Sequence, residues 1–241
     1  MIALISSVPE EGKLLIRQLK KKSVVAGKPA YKGRIHGKEI IYMISGMGKT
    51  NAAHATTMLI EKFSPSVIIL FGAGGAYPSS GLRVGDIAVA EKEVYGDEGV
   101  QLKDGFQGTD FIGIPLLKKG GRKYFNEFPL HAKMLKVVKS SLELIAHRSS
   151  LITGVKSGAF VTVSTCTGTK KKARELEKRF GAVCENMEGA PVAHLCTLYG
   201  VPLVEVRGIS NIVEDRDRKK WNMKLATENC QRAVVELLKN L

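Results

Sequence analysis

The chain has 241 residues, 44% hydrophobic and 25% charged, a globular composition able to bury a full core without disulfides or a structural metal. Lysine and arginine number 37 against 23 acidic residues, a net charge of +14, but they form short scattered clusters without interleaved aromatics; this argues against nucleic-acid binding and fits capture of an anionic small molecule. No apolar run could span a membrane, residues 1 to 8 lack a basic leader, and neither the four cysteines nor the five histidines have metal-ligand spacing, so a cytoplasmic protein with reduced thiols, no metal and no cofactor is expected.

Residues 2 to 8 read as a buried strand, followed by a helix over about 10 to 22. Residues 39 to 45 alternate as a strand, and 50 to 63 follow helical spacing. The β-branched run 67 to 71 ends in glycines and reads as a central parallel strand, with another strand at 84 to 90. Residues 97 to 129 are rich in glycine and polar side chains, a loop long enough to imply a function or a partner contact. A helix is predicted over 131 to 147, strands at 152 to 155 and 160 to 164, and a helix over 170 to 180. A short strand at 182 to 184, a helix over 188 to 199, a strand at 202 to 207 and a terminal helix over 219 to 241 complete the chain. Alternating strands and helices predict one α/β domain over residues 1–241, a mixed, mostly parallel central sheet flanked by helices, with ligand beyond the carboxyl ends of the strands.

Two motifs mislead. Gly48-Lys49-Thr50 looks like the end of a phosphate-binding P-loop, but Met43 stands where the first glycine belongs. Gly72-Ala73-Gly74-Gly75-Ala76 follows a strand as a dinucleotide fingerprint would, yet Tyr77-Pro78 forbids the helix that must start there. The plain reading of the glycines is a tight turn, but a floor against which a flat ring can lie is preferred, because the other strand-end motifs converge on it.

Ser45-Gly46-Met47-Gly48-Lys49, the run Gly72 to Ala76 before Val84-Gly85-Asp86, Ser157-Gly158-Ala159-Phe160, Glu185-Asn186-Met187-Glu188-Gly189-Ala190 and Val206-Arg207-Gly208-Ile209-Ser210-Asn211 together resemble the nucleoside phosphorylase and nucleosidase superfamily over nearly the whole chain. The resemblance is closest to the hydrolytic branch that holds methylthioadenosine/S-adenosylhomocysteine nucleosidases and futalosine hydrolases. Asn186 to Ala190, with Ser210-Asn211 and Asp215-Arg216-Asp217-Arg218 before Trp221, looks most like the futalosine hydrolases. The resemblance implies a homo-oligomer, with a dimer favoured, that cleaves a small nucleoside with water. For futalosine the products would be hypoxanthine and dehypoxanthinyl futalosine, in menaquinone biosynthesis. The alternatives are a methylthioadenosine/S-adenosylhomocysteine or aminofutalosine nucleosidase, a purine nucleoside phosphorylase, and a basic nucleotide- or nucleic-acid-binding protein without catalysis.

Such cleavage develops positive charge on the sugar and negative charge on the departing base. By resemblance Glu11 activates water, Glu188 binds the ribose diol and Met187 packs on the sugar. Phe160 would stack on the purine, Val161 would offer it backbone hydrogen bonds, and Ala73, Gly74 and Met47 would line the site. Each also has a plainer reading: Glu11 and Glu188 as first-turn acids of helices, Phe160 as a core aromatic. Asn211 stands where adenine-releasing relatives carry aspartate. A carboxamide can donate to a purine O6 and accept from N7–H, whereas a turn-capping role is the alternative. Two acids and no arginine before Arg17 oppose a bound phosphate near the first strand, which favours hydrolysis over phosphorolysis.

Overall fold

The computed structural model describes residues 1–148 and 152–241. The amino-terminal third forms β1 (Ile2–Ser6), a 3-10 turn at Pro9–Gly12 running into the one-turn helix α1 (Lys13–Ile16), then β2 (Lys21–Val25), β3 (Lys28–Ile35), β4 (Lys38–Ile44) and α2 (Lys49–Phe63). The helix expected over 10 to 22 therefore stops after one turn, and the chain turns back as a meander. Two-residue turns cause this: Ala26-Gly27 and His36-Gly37 all have positive φ, the backbone that twists a tight hairpin correctly.

The middle of the chain supplies β5 (Val67–Ala76), β6 (Ile87–Tyr95), the hairpin β7 (Gly99–Leu102) and β8 (Gly105–Gly108), α3 (Thr109–Ile112), a second hairpin β9 (Leu117–Lys119) and β10 (Arg122–Tyr124), and β11 (Glu127–Pro129). The predicted loop over 97 to 129 is thus built of short strands. The remainder comprises α4 (Ala132–Arg148), β12 (Val155–Thr162), α5 (Lys170–Phe180), β13 (Ala182–Asn186), α6 (Gly189–Tyr199), β14 (Leu203–Ile212) and α7 (Met223–Asn240). A single strand, β12, replaces the two short ones expected between 152 and 164.

The mixed sheet flanked by helices is present, but it is not an open sheet. β5 pairs with β14 (parallel), β14 with β6 (antiparallel), β6 with β12 and β12 with β13 (both parallel), and β13 returns to β5 (antiparallel). These five strands close a barrel, from which β1, β4, β3 and β2 extend as a wing. The joint is β5: residues 67 to 70 pair with β1 in the wing, while Gly75 and Ala76 pair with β13 in the barrel. The glycine run makes the change of partner possible, since a Cβ at Gly72 would lie 2.4 Å from Glu11 Oε1 and one at Gly74 2.6 Å from Cys184 Sγ.

In the wing, β1 buries both faces: Ala3 and Ile5 enter the cluster under α2 and α6, while Ile2 and Leu4 enter the one under α4 and α7. α7 presents Ala226, Cys230, Ala233, Val234 and Leu237, a stripe at helical spacing, to β14. It approaches so closely that a Cβ on Gly208 would sit 2.0 Å from the Ala226 carbonyl oxygen. Backbone cannot yield there. Gly208→Ala should lower stability by about 1–3 kcal/mol, the usual cost of overpacking, as read from the urea midpoint.

Candidate active site

Glu10 and Glu11 are parted by the 3-10 turn. Glu10 is exposed, whereas Glu11 is buried. Glu11 Oε2 accepts from the Ser7 and Val8 amides at 2.8 and 3.2 Å, and Oε1 accepts from the Ala73 amide at 2.8 Å. The missing side chain at Gly72 leaves the space this carboxylate fills. Burial pushes its proton affinity above the ordinary carboxylate range, with Glu188 adding to the rise, and Arg207 and the amides offset only part of it. Glu11 also lines a cavity of about 590 Å³ between the turn and α7, together with Val8, Leu14 and Met223, so the group is enclosed yet reachable.

Glu188 is the residue immediately before α6 rather than its first helical residue. Its Oε1 accepts from the Gly48 amide at 3.0 Å, and its Oε2 lies 3.3 Å from Arg207 Nη1. Gly48 can aim that amide because its φ of 93° is open to glycine and strained for other residues. Arg207 is 1% exposed, and its guanidinium also holds Glu205 Oε1 at 2.9 Å, the Ala73 carbonyl at 3.3 Å and Asn186 Oδ1 at 3.4 Å. Burial opposes its charge, but Glu205, Glu188 and Glu11 together outweigh that and hold it protonated. One cation thus links the two candidate carboxylates through the barrel wall.

Asn186 holds the start of α6. Its Oδ1 accepts from the amides of Glu188 and Gly189 at 2.9 and 2.7 Å, which satisfies donors at the start of α6. Asn211 lies opposite Gly75 in the β14–β5 register. Its Oδ1 accepts from Ser210 Oγ at 2.7 Å and its Nδ2 donates to the Ile212 carbonyl at 3.1 Å, which leaves one N–H and one lone pair. It lines a small pocket of about 160 Å³ with Thr167, Arg216 and Trp221. Gly74 is buried, its carbonyl taken by Ser210 Oγ at 3.1 Å, and Met47 is 63% exposed on the turn before α2.

Phe160 and Val161 lie on neighbouring positions of β12. Both side chains are wholly buried in β12, Phe160 in the main apolar cluster and Val161 with Tyr77 and Val213 on the other face. β12 runs on to Thr162, and the segment that follows it packs against Met187 and Glu185. Its exposed Cys166 places Sγ 3.3 Å from Met187 Sδ. Thr167 is clamped by Glu185, whose Oε1 accepts from its amide at 2.9 Å and Oε2 from its hydroxyl at 2.6 Å.

Arg207, Glu205 and Glu93 were not singled out by sequence reasoning. The signal was Glu205-x-Arg207 in an otherwise apolar strand, which puts two charges on one inward face. Among the described residues no three His, Cys, Asp or Glu side chains gather as a metal site, and no helix is long and apolar enough to cross a membrane.

Replacing Arg207 with methionine would strand Glu188 and Glu205 in the interior. The expected loss is about 3–5 kcal/mol, the penalty for breaking a buried ion pair from one side, checked by equilibrium denaturation.

The model of the Phosphorylase superfamily matches residues 1–239. A futalosine hydrolase of Thermus thermophilus is 35% identical over 209 residues, covering 87% of this chain and 85% of that protein. A 5'-methylthioadenosine/S-adenosylhomocysteine nucleosidase of Oceanobacillus iheyensis is 29% identical over 245 residues, covering 100% and 99%. Among solved structures, the Neisseria meningitidis 5'-methylthioadenosine/S-adenosylhomocysteine nucleosidase in complex with methylthio-immucillin-A superposes with a TM-score of 0.84 at 24% identity, covering 100% of this chain and 99% of that one. A Helicobacter pylori futalosine hydrolase mutant superposes at 0.82 with 22% identity, covering 100% and 99%. With a family match from end to end and relatives that share both length and fold, the chain belongs to the Phosphorylase superfamily and is an N-glycosyl hydrolase.

Proposed function

We propose that the enzyme hydrolyses the N-ribosidic bond of futalosine, releasing hypoxanthine and leaving dehypoxanthinyl futalosine. The observation that carries the base preference is the carboxamide of Asn211 beside Gly75, at the edge of the pocket it shares with Thr167. Its free N–H suits a 6-oxopurine carbonyl and its free lone pair suits the N7–H of the departing base. A carboxylate there would face O6 with like polarity, and a site that leaves polar groups unpaired discriminates strongly. The 35% identical relative named futalosine hydrolase supports the same substrate.

Glu11 takes a proton from water as the water attacks the anomeric carbon. Burial brings its proton affinity toward the working range of a general base, and the three amides fix its aim. Glu188 accepts from the ribose hydroxyls with the lone pairs that Gly48 and Arg207 leave free. Its negative charge also favours the oxocarbenium character of the transition state. Met187 packs on the sugar, with Cys166 Sγ against its sulfur. Glu11 and Glu188, with one shared cation, disfavour a phosphate dianion, so water is the nucleophile.

The second reading is a methylthioadenosine/S-adenosylhomocysteine nucleosidase, favoured by relatives of that name that align with the whole chain. Chromatography of products from futalosine, methylthioadenosine and inosine, with and without phosphate, separates these readings. Futalosine is expected to yield hypoxanthine without phosphate, and faster release of adenine from methylthioadenosine would replace the first reading by the second. Asn211→Asp should erode or reverse the preference for the 6-oxopurine, and Glu11→Gln should retain binding while losing about 10²–10⁴-fold in turnover, as for a lost general base.

A homodimer is proposed through the segment 97–129, which carries Phe111, Ile112 and Ile114, 59%, 47% and 69% exposed in the single chain. Ile114→Glu should shift sedimentation toward the monomer. A parent chain that is monomeric and fully active at assay concentration would overturn it.

A further inference from the structure

Behind the site, inside the barrel, lie two carboxyl groups that the reaction does not touch. Glu93 on β6 and Glu205 on β14 are both wholly buried. They converge beneath the first residue of α6: a Cβ on Gly189 would fall 1.9 Å from Glu93 Oε1 and 2.7 Å from Glu205 Oε2. Glu93 Oε1 accepts from Asn186 Nδ2 at 2.6 Å and Oε2 from Thr162 Oγ1 at 2.7 Å. Glu205 Oε1 takes Nε and Nη2 of Arg207, each at 2.9 Å. Among the described residues Glu205 Oε2 has no amide, guanidinium or hydroxyl donor. A buried carboxylate oxygen left bare is costly, and a proton on Glu93 is the donor at hand.

We propose that Glu93 carries a proton that it donates to Glu205 Oε2, and that Glu205, kept anionic in this way, is a positioning residue that draws on the charge of Arg207 and so tunes the proton affinity of Glu11. Charge counting supports it. The cluster holds four carboxyl groups, Glu11, Glu93, Glu188 and Glu205, against one guanidinium. Burial, with Glu205 next to it, pushes Glu93 well above the carboxylate range. Around the cluster, burial raises the thiols of Cys184 on β13, Cys196 on α6 and Cys230 on α7, and the phenols of Tyr42 on β4 and Tyr95 on β6, and the carboxyl groups of Glu185 beside Cys184 and Glu98 beside Tyr95 face it from farther out. Among the described residues Arg207 is the cation that contacts Glu205, and the Glu188 carboxylate is near enough to raise the proton affinity of Glu205 as well. An anionic Glu205 withholds part of that charge from Glu11, whose own proton affinity Arg207 lowers.

The inference rests on Glu11 as the water-activating base, so it is tested with one readout that needs no turnover and one that does. Infrared difference spectra of the full chain at neutral pH should contain a protonated-carboxyl carbonyl band that Glu93→Gln removes. The amide of that variant still donates to Glu205 Oε2, so its acid limb of kcat/KM should stay where the parent's is. Glu205→Gln removes the competing anion and should move the acid limb to lower pH by about half a unit to one unit, as expected when an opposing charge nearby is unmasked. Thermal unfolding confirms that each variant is folded, and if Glu205→Gln does not accumulate, the infrared result and the Glu93→Gln profile decide. An unchanged carbonyl band in Glu93→Gln, or an acid limb that moves in Glu93→Gln as far as in Glu205→Gln, overturns the proposal. Loss of the band with no base release from any nucleoside would leave the shared proton standing and overturn the reading of Glu11.

Discussion

The site hangs on a guanidinium taken wholly out of water. Arg207 would be expensive in the barrel wall by itself, and each carboxylate near it would be expensive without it. Bound together, Glu188 and Glu205 satisfy opposite ends of the same planar fork, while the Ala73 carbonyl and Asn186 take the remaining hydrogens. Because Ala73 also donates its amide to Glu11, one residue of β5 joins the cation to the second carboxylate. The arrangement is rigid through the network, with no contact strong on its own terms.

Barrel closure provides the room for this. β14 lies between β5 and β6, so its inward residues are walled in by strands on both edges and Glu205 is wholly buried. β5 does two jobs along ten residues, first as a sheet strand in the wing and then as a barrel stave. Its glycines are required at the changeover because neighbouring side chains occupy the volume a Cβ would take. The glycine floor expected from sequence is, in large part, a set of slots for protein side chains.

Most helices and the chain order of strands were legible because their period is local: α2, α5 and α6 fall within a residue or so of the predicted spans. Ring closure was not, since the antiparallel meeting of Val206 with Val89 depends on contacts far apart in sequence. Glu11, Glu188 and Met187 could be found from motifs, as they stand beside glycines and strand ends. Glu93 could not, because Glu91-Lys92-Glu93 looks like a solvated strand end and only the barrel decides that Glu93 points inward while Glu91 meets Lys139. Phe160 shows the same limit: its pairing with β6 and β13 buries the side chain, which its motif alone could not reveal.

The position of β14 near the end of the chain has a consequence for synthesis. Every residue of the barrel except β14 emerges from a ribosome before residue 203, yet the ring cannot close without it. Until then Glu11 and Glu188 lack their shared cation, and the slot between β5 and β6 is an unpaired pair of strand edges. Closure of such long sequence separations is slow, and open edges invite pairing with other chains. The nascent protein is thus most exposed to misassembly just before its last two elements, β14 and α7, arrive to seal the ring and cover it.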